Sequence, residues 1–196
     1  MVPTRILPSV LLAFLLCTCA SAQNGETPKP ARQERVDETT FPAQQEWLDK
    51  WENSLAYTLE TLMLLEEKDL DYRPTEDQMT LREQFHHMAG NIYFLTGKFI
   101  HAPEGFDRKA ITATFADDAD KTELAATLTK AYFFGAKAAR RLNEEAWNSS
   151  VPDFFAGPKS KRVVFNLLQD HATHHRAQTL VYLRLLGYTP PRYRGW

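Results

Sequence analysis

Glycine is scarce in this sequence, 8 of 196 residues, and cysteine nearly absent, at two. So little glycine argues against a sheet laced with tight turns, and long stretches rich in Leu, Ala, Glu, Gln, Lys and Arg favour helices instead. Neither sign of charge dominates: 23 Lys and Arg stand against 25 Asp and Glu, a formal charge of −2, and no long basic run occurs. That excludes the electrostatic footprint of a nucleic-acid-binding surface. A long apolar run is missing too, since none reaches the roughly 18 residues that mark a membrane-crossing helix. What the chain does contain, 43% hydrophobic and 12% aromatic residues, is core material for one packed domain rather than a disordered chain.

Both cysteines, Cys17 and Cys19, lie in the N-terminal segment MVPTRILPSVLLAFLLCTCASAQ. There Arg5 supplies a positive start, Ile6 to Leu16 a short apolar region, and Ala20-Ser21-Ala22 a small-x-small cleavage site. Residues 1–22 therefore read as a signal peptide cleaved after Ala22, which places the mature chain in the periplasm or outside the cell. A lipoprotein anchored at Cys19 is the lesser alternative, because Leu16-Cys17-Thr18-Cys19 departs from the small residue usual before a lipidated cysteine. Cleavage leaves no cysteine, excluding disulfides, thiolate nucleophiles and thiolate-bound metal. It also removes Arg5, taking the formal charge from −2 to −3.

Residues 23–40, QNGETPKPARQERVDETT, carry two prolines and one valine, too little apolar surface to offset the entropy of ordering them, and read as a flexible leader. From Phe41 the pattern changes. Trp47, Leu48, Trp51, Leu55, Leu59, Leu62 and Met63 recur at three- and four-residue steps and predict a helix over 42–66. Thr75 or Thr80 with downstream acids can cap a second helix over 77–100. After a connection at 101–119, a third helix is predicted over 121–142, and a fourth over 159–186, stopped by Gly187 and Pro190-Pro191. Residues 41–196 thus predict one all-α domain, a four-helix bundle.

The six histidines are not scattered. His86 and His87 adjoin on the second helix, and His171, His174 and His175 share one window of the fourth. Residues four apart on a helix are offset by about 40°, so His171 and His175 can aim at one point. With His171 set at zero, the apolar residues Val164, Leu167, Leu168, Tyr182, Leu185 and Leu186 centre near about 13°, which puts both imidazoles in the core stripe and His174, at about −60°, on its edge. A metal would satisfy nitrogens that burial otherwise leaves unpaired, at about 1 to 3 kcal/mol each. HATHH lacks the glutamate of HExxH, the general base of a zincin-type peptidase, and so argues against that class. On the second helix periodicity leaves His86 and His87 tied, although His87 shares its side with Glu83, Asn91 and Phe94.

Thr80-Leu81-Arg82-Glu83-Gln84-Phe85-His86-His87-Met88 resembles the T/S-x-x-E-x-x-x-H segment of the DinB/YfiT-like putative metalloenzymes. Asp170-His171-Ala172-Thr173-His174-His175-Arg176-Ala177-Gln178 resembles their H-x-x-H-H-R-G-Q segment, with Ala177 where many members have Gly. The ending, Leu183 to Gly187 and Pro190 to Tyr193, is similar too, so the resemblance covers about residues 41–196. It implies a four-helix bundle whose three histidines, here His87, His171 and His175, hold a divalent ion: zinc first, with nickel or iron also suited to imidazole.

An ion on three neutral imidazoles keeps a position open, as catalytic sites do, and supports metal-assisted hydrolysis or group transfer on a small-molecule substrate. Glu83, Asn91 and Gln178 are the candidate catalytic-site residues, as groups that orient the ligands or touch substrate; Asp170 and His174 are weaker ones. With ordinary values of about 6.5, the ligand histidines would compete for protons just below neutral pH. Some members of the family use intracellular low-molecular-weight thiols, which an exported enzyme would not meet, so thiol-dependent S-transfer ranks lower. The competing class is a non-catalytic metal-binding or metal-stabilised bundle. A homodimer is compatible with the sequence. N-terminal sequencing of secreted protein should begin at Gln23; an intact Met1 or a lipid-modified Cys19 would overturn the signal-peptide reading.

Overall fold

The computed structural model describes residues 40–196. The signal peptide read at 1–22, with Cys17 and Cys19, and all of the leader except Thr40 lie outside the described residues. Four long helices carry the fold: α1 (Pro42–Leu64), α2 (Leu81–Leu95), α4 (Lys121–Arg140) and α6 (Lys161–Leu185). The stretches read as connections hold two short helices, α3 (Arg108–Thr112) and α5 (Glu144–Asn148). In a minimal antiparallel pair of strands, β1 (Ser150–Val151) and β2 (Lys159–Ser160), Ser150 faces Ser160, and β2 takes up the first two residues of the predicted fourth helix, so that α6 begins at Lys161. Among the described residues no helix is long and apolar enough to cross a membrane.

Side-chain caps start every one of these α-helices except α1. Thr80 accepts the Glu83 N–H and the Glu83 carboxylate accepts the Thr80 N–H, a reciprocal capping box, and Asp120 and Glu123 do the same for α4. The box at Thr80 starts α2 four residues later than the predicted Asp77. At its other end α2 runs into a single π-helical turn, Thr96–Ile100. Gly97 in this turn is required by close approach, because a Cβ there would collide with the ring of Phe106. Helix α6 ends where Gly187 turns to a φ of 86°; the Gly187 N–H bonds the Arg184 carbonyl at 3.0 Å and the Tyr188 N–H the Leu183 carbonyl at 2.9 Å, a full Schellman closure.

Each of α1 and α2 packs against both α4 and α6. The first two long helices are therefore diagonal in the bundle, and α2 lies beside α6. The core is strongly aromatic: Trp51 stacks on Trp47 at 4.9 Å and on Tyr132 at 4.3 Å, and Trp147 stacks on Phe165 at 4.2 Å. Indole N–H groups bind helix to helix as well, Trp47 donating to the Phe165 carbonyl at 2.9 Å and Trp51 to that of Tyr132 at 3.0 Å.

Two apolar stripes predicted from periodicity are displaced. Met63 is 58% exposed and Leu185 59%, while Gln44, Ser54, Thr58 and Thr61 of α1 and Gln169, Arg176 and Thr179 of α6 are buried. The polar residues can occupy the inner face because each finds a partner there. Thr58 and Thr61 donate to carbonyls four residues back at 2.8 Å, and Gln44 donates to the Ala139 and Leu142 carbonyls at the end of α4. Arg176 donates to Ser54 Oγ at 2.6 Å and lies 4.9 Å over the Tyr57 ring, tying α6 to α1. Taking His171 as zero, the residues buried on α6 centre near about 85° rather than about 13°. His171 is thus at the rim of the inner face and not in its middle.

Trp51, 2% exposed, joins α1 to α4 by both stacking and a hydrogen bond. Trp51→Ala should lower the unfolding free energy by about 3 to 5 kcal/mol in urea titration; a loss below about 1 kcal/mol would remove this contact from the core's main supports.

Candidate metal centre

The lateral contact of α2 with α6 brings together three imidazoles from distant parts of the chain. His87 Nε2 lies 3.1 Å from His171 Nε2, and one candidate ligand nitrogen from each of His87, His171 and His175 falls within 4.8 Å of the others. Ring centroids are 5.0 Å apart for His87 and His171, 4.4 Å for His87 and His175, and 4.5 Å for His171 and His175. His175 is buried, and His87 and His171 are half-buried. The group therefore sits at the edge of the bundle, where one side can meet solvent.

The donor set fits a divalent ion. With metal–nitrogen bonds of about 2.0 to 2.1 Å, a 3.1 Å nitrogen separation subtends about 100° at an ion, between octahedral and tetrahedral angles. Among the described residues the cluster is limited to three of the side chains that commonly ligate, with no cysteine or carboxylate in it. Three neutral ligands leave the charge of a bound ion uncompensated and part of its coordination free.

Gln84, absent from the sequence-based site, is the residue that supports His175. It is buried on α2, and its Oε1 lies 2.7 Å from His175 Nδ1. Its Nε2 donates to Gln178 Oε1 at 2.6 Å, and Gln178 Nε2 lies 3.0 Å from His174 Nε2. The signal that could have revealed it is the three-residue step from Gln84 to His87, which sets both on neighbouring turns of one helix.

The other candidates separate by partner. Glu83 is exposed, and its carboxylate caps α2 by accepting the Thr80 N–H at 2.7 Å. Asn91, one turn beyond His87, is half-buried, with an Oδ1 that meets no hydrogen-bond donor. Gln178 belongs to the amide chain on His175. His174 is exposed and bonded to Gln178; Asp170 is exposed as well. His86 turns from the cluster and stacks on Phe115 at 5.0 Å, which separates it from His87 where periodicity could not.

Burial, and then the neighbouring imidazoles His87 and His174, push the His171 pKa down to about 4. Burial and then His171, His87 and His174 push His175 down to about 3, and burial with His174 also lowers His87. The onset of proton competition just below neutral pH, inferred from ordinary histidine values, is thereby corrected: for His171 and His175 it moves down toward pH 4 and below.

A helical bundle in which three imidazoles converge between two laterally packed helices defines the class, a candidate metalloprotein of the four-helix-bundle type. Residues 36–195 match the DinB family, and the chain belongs to that family. No match is found among curated proteins. The fold is similar to that of a DinB-family protein from Exiguobacterium sibiricum, with a TM-score of 0.61 and 20% identity over 81% of this chain and 100% of that one. A DinB-like protein of Bacillus subtilis, YjoA, gives 0.58 and 18% over 76% and 98%. YfiT of Bacillus subtilis, described as a probable metal-dependent hydrolase with an unusual four-helix bundle topology, gives 0.56 and 17% over 84% and 95%.

The lowered histidine values set a sign for the acid response of metal-free protein. As pH falls below about 6.5 the unfolded chain takes up protons that folded His171 and His175 refuse, so stability declines across the window from about 6.5 to about 4, with His175 extending it to about 3. Thermal unfolding of metal-free protein should follow that decline, and a His171→Gln, His175→Gln double variant should show a shallower one. Equal slopes would contradict the assignment.

Proposed function

We propose that this chain is an exported, divalent-metal-dependent hydrolase or group transferase whose ion is held by His87, His171 and His175. The observation that carries the reading is the convergence of three imidazoles at the bundle rim without a fourth ligating side chain in the cluster, among the described residues. The description of YfiT as a probable metal-dependent hydrolase, on a similar fold, supports the hydrolase side of it. When bound, the ion supplies Lewis acidity, polarising a substrate oxygen and acidifying water. Imidazole ligands suit zinc first, and nickel or iron as well.

The chain's own groups bind and orient. Depressed histidine pKa values keep His171 and His175 in the neutral form that can donate a lone pair. A cavity of about 480 Å³ is lined by His175, which is the one member of the histidine cluster on its wall, together with Gln84, Gln178, Gln78, Met79 and Val181. This is the size of a small-molecule site, and we assign it to the substrate. Its lining includes the carboxylate of Asp77 and, among the described residues, no lysine or arginine. Such a wall favours uncharged or amine-bearing esters and amides over phosphomonoesters, whose charge it would leave unpaired.

Elemental analysis of natively purified protein should find about one equivalent of a divalent metal. Replacing His87, His171 or His175 by alanine should strip it, while His86→Ala and His174→Ala should retain it. If His174→Ala lost metal and His175→Ala did not, the ligand set would be wrong. In a screen of esters, amides, phosphoesters and thiol-transfer substrates, turnover should require the metal, vanish in His171→Ala and rise with pH through the neutral range. A metal-loaded protein with no turnover would transfer the site to the alternative reading, a metal-stabilised bundle.

A further inference from the structure

We propose that Gln84 is a positioning residue which, together with Gln178, holds His175 in the Nδ1–H tautomer and so leaves its Nε2 lone pair facing the other two imidazoles. The inference rests on the metal-site reading above and extends it to a residue on the opposite helix. Its basis is the directional chemistry of side-chain amides. A primary amide presents an acceptor oxygen on one side and a donor nitrogen on the other, so amides linked in series must all point the same way. Here the series is unbroken from His175 Nδ1 to Gln84 Oε1 at 2.7 Å, from Gln84 Nε2 to Gln178 Oε1 at 2.6 Å, and from Gln178 Nε2 to His174 Nε2 at 3.0 Å.

In this sense of the series, His175 Nδ1 must be the donor. Its ring is neutral, so Nε2 is bare. Reversing Gln84 would turn an amide N–H toward Nδ1, move the imidazole proton to Nε2, and set an N–H where a lone pair is needed. Gln84 cannot reverse alone, because its oxygen would then face the oxygen of Gln178. Burial keeps the series matched: Gln84 is 2% exposed and His175 8%, so a mismatched pair finds little water to mend it, even beside the cavity. The device also spans the two helices that form the site, with Gln84 on α2 and Gln178 on α6. The alignment of α2 with α6 therefore sets the tautomer as well as the distance between ligands.

The test reads the tautomer directly. Long-range nitrogen–proton correlation spectra of metal-free protein labelled with 15N-histidine should show His175 as the Nδ1–H form, although Nε2–H is the commoner form of free imidazole. Gln84→Met, which keeps length and removes the amide, should shift His175 toward Nε2–H and weaken zinc binding about 10- to 100-fold. Gln84→Glu, which can only accept, should restore both the Nδ1–H form and the affinity. Gln178→Met leaves Gln84 free to turn and should give an intermediate loss; it carries the test if Gln84→Met fails to fold by circular dichroism. An unchanged His175 tautomer in folded Gln84→Met or Gln178→Met overturns the proposal, as does an Nδ1–H form that Gln84→Glu does not restore. Because the spectra need no ion, a wild-type protein that shows the expected tautomers but binds neither zinc nor nickel would overturn the metal reading and leave the positioning role of Gln84 standing.

Discussion

Where α2 lies against α6, the two helices share a band of polar side chains that have left water and must find partners in place. Gln84 and His175 are both buried there, and an unpaired buried group costs about 1 to 3 kcal/mol. The contact is consequently a registration device as much as a packing surface. A shift of one helix along the other would break the Gln84 bonds to His175 and Gln178 together. Apolar side chains alone would tolerate such a slip far better, because dispersion and burial have little direction.

The other two long helices hold that pair from outside by a different chemistry. The aromatic groups on α1, Trp47 and Trp51, reach carbonyls on α6 and α4 through their indole N–H groups, and Arg176 returns from α6 to Ser54 and Tyr57 on α1. Arg176 follows His175 directly, so the backbone that carries the buried imidazole is tethered on the opposite side by a buried guanidinium. Its partners are hydroxyl, carbonyl and aromatic groups, an arrangement that suits the weakly hydrated, multi-donor guanidinium better than it would a lysine ammonium. The second and sixth residues of the D-H-A-T-H-H-R run divide the work: His171 at the rim faces outward enough to share its nitrogen, and His175 is buried and aligned.

Helices and their ends were largely legible in the residue order. Gly187 marked the end of α6, whereas α2, read from Asp77 with Thr75 or Thr80 as its cap, starts at Leu81 behind Thr80. Less legible were the faces. Periodicity counts only apolar side chains, so the polar residues of α1 and α6 that the interior accepts through hydrogen bonds went uncounted, and the inferred inner face of α6 was turned by about 70°. Glu83, a candidate because it shares the His87 side of α2, uses its carboxylate to cap that helix.

The sequence by itself determined that the chain is helical, that a histidine pair at i and i+4 on the last long helix could share one ligand, and, through its resemblance to the DinB/YfiT-like proteins, that His87 was the third candidate. These are properties of spacing along a single helix or of motif, and 3.6 residues per turn suffices to read the former. Only the tertiary structure decided that α1 and α2 are diagonal and that α2 adjoins α6. It also decided that Gln84 stands behind His175. Contacts of this kind join residues about ninety positions apart, and they depend on which helices become neighbours, a choice made by the combined burial and hydrogen bonding of the whole bundle rather than by any local pattern.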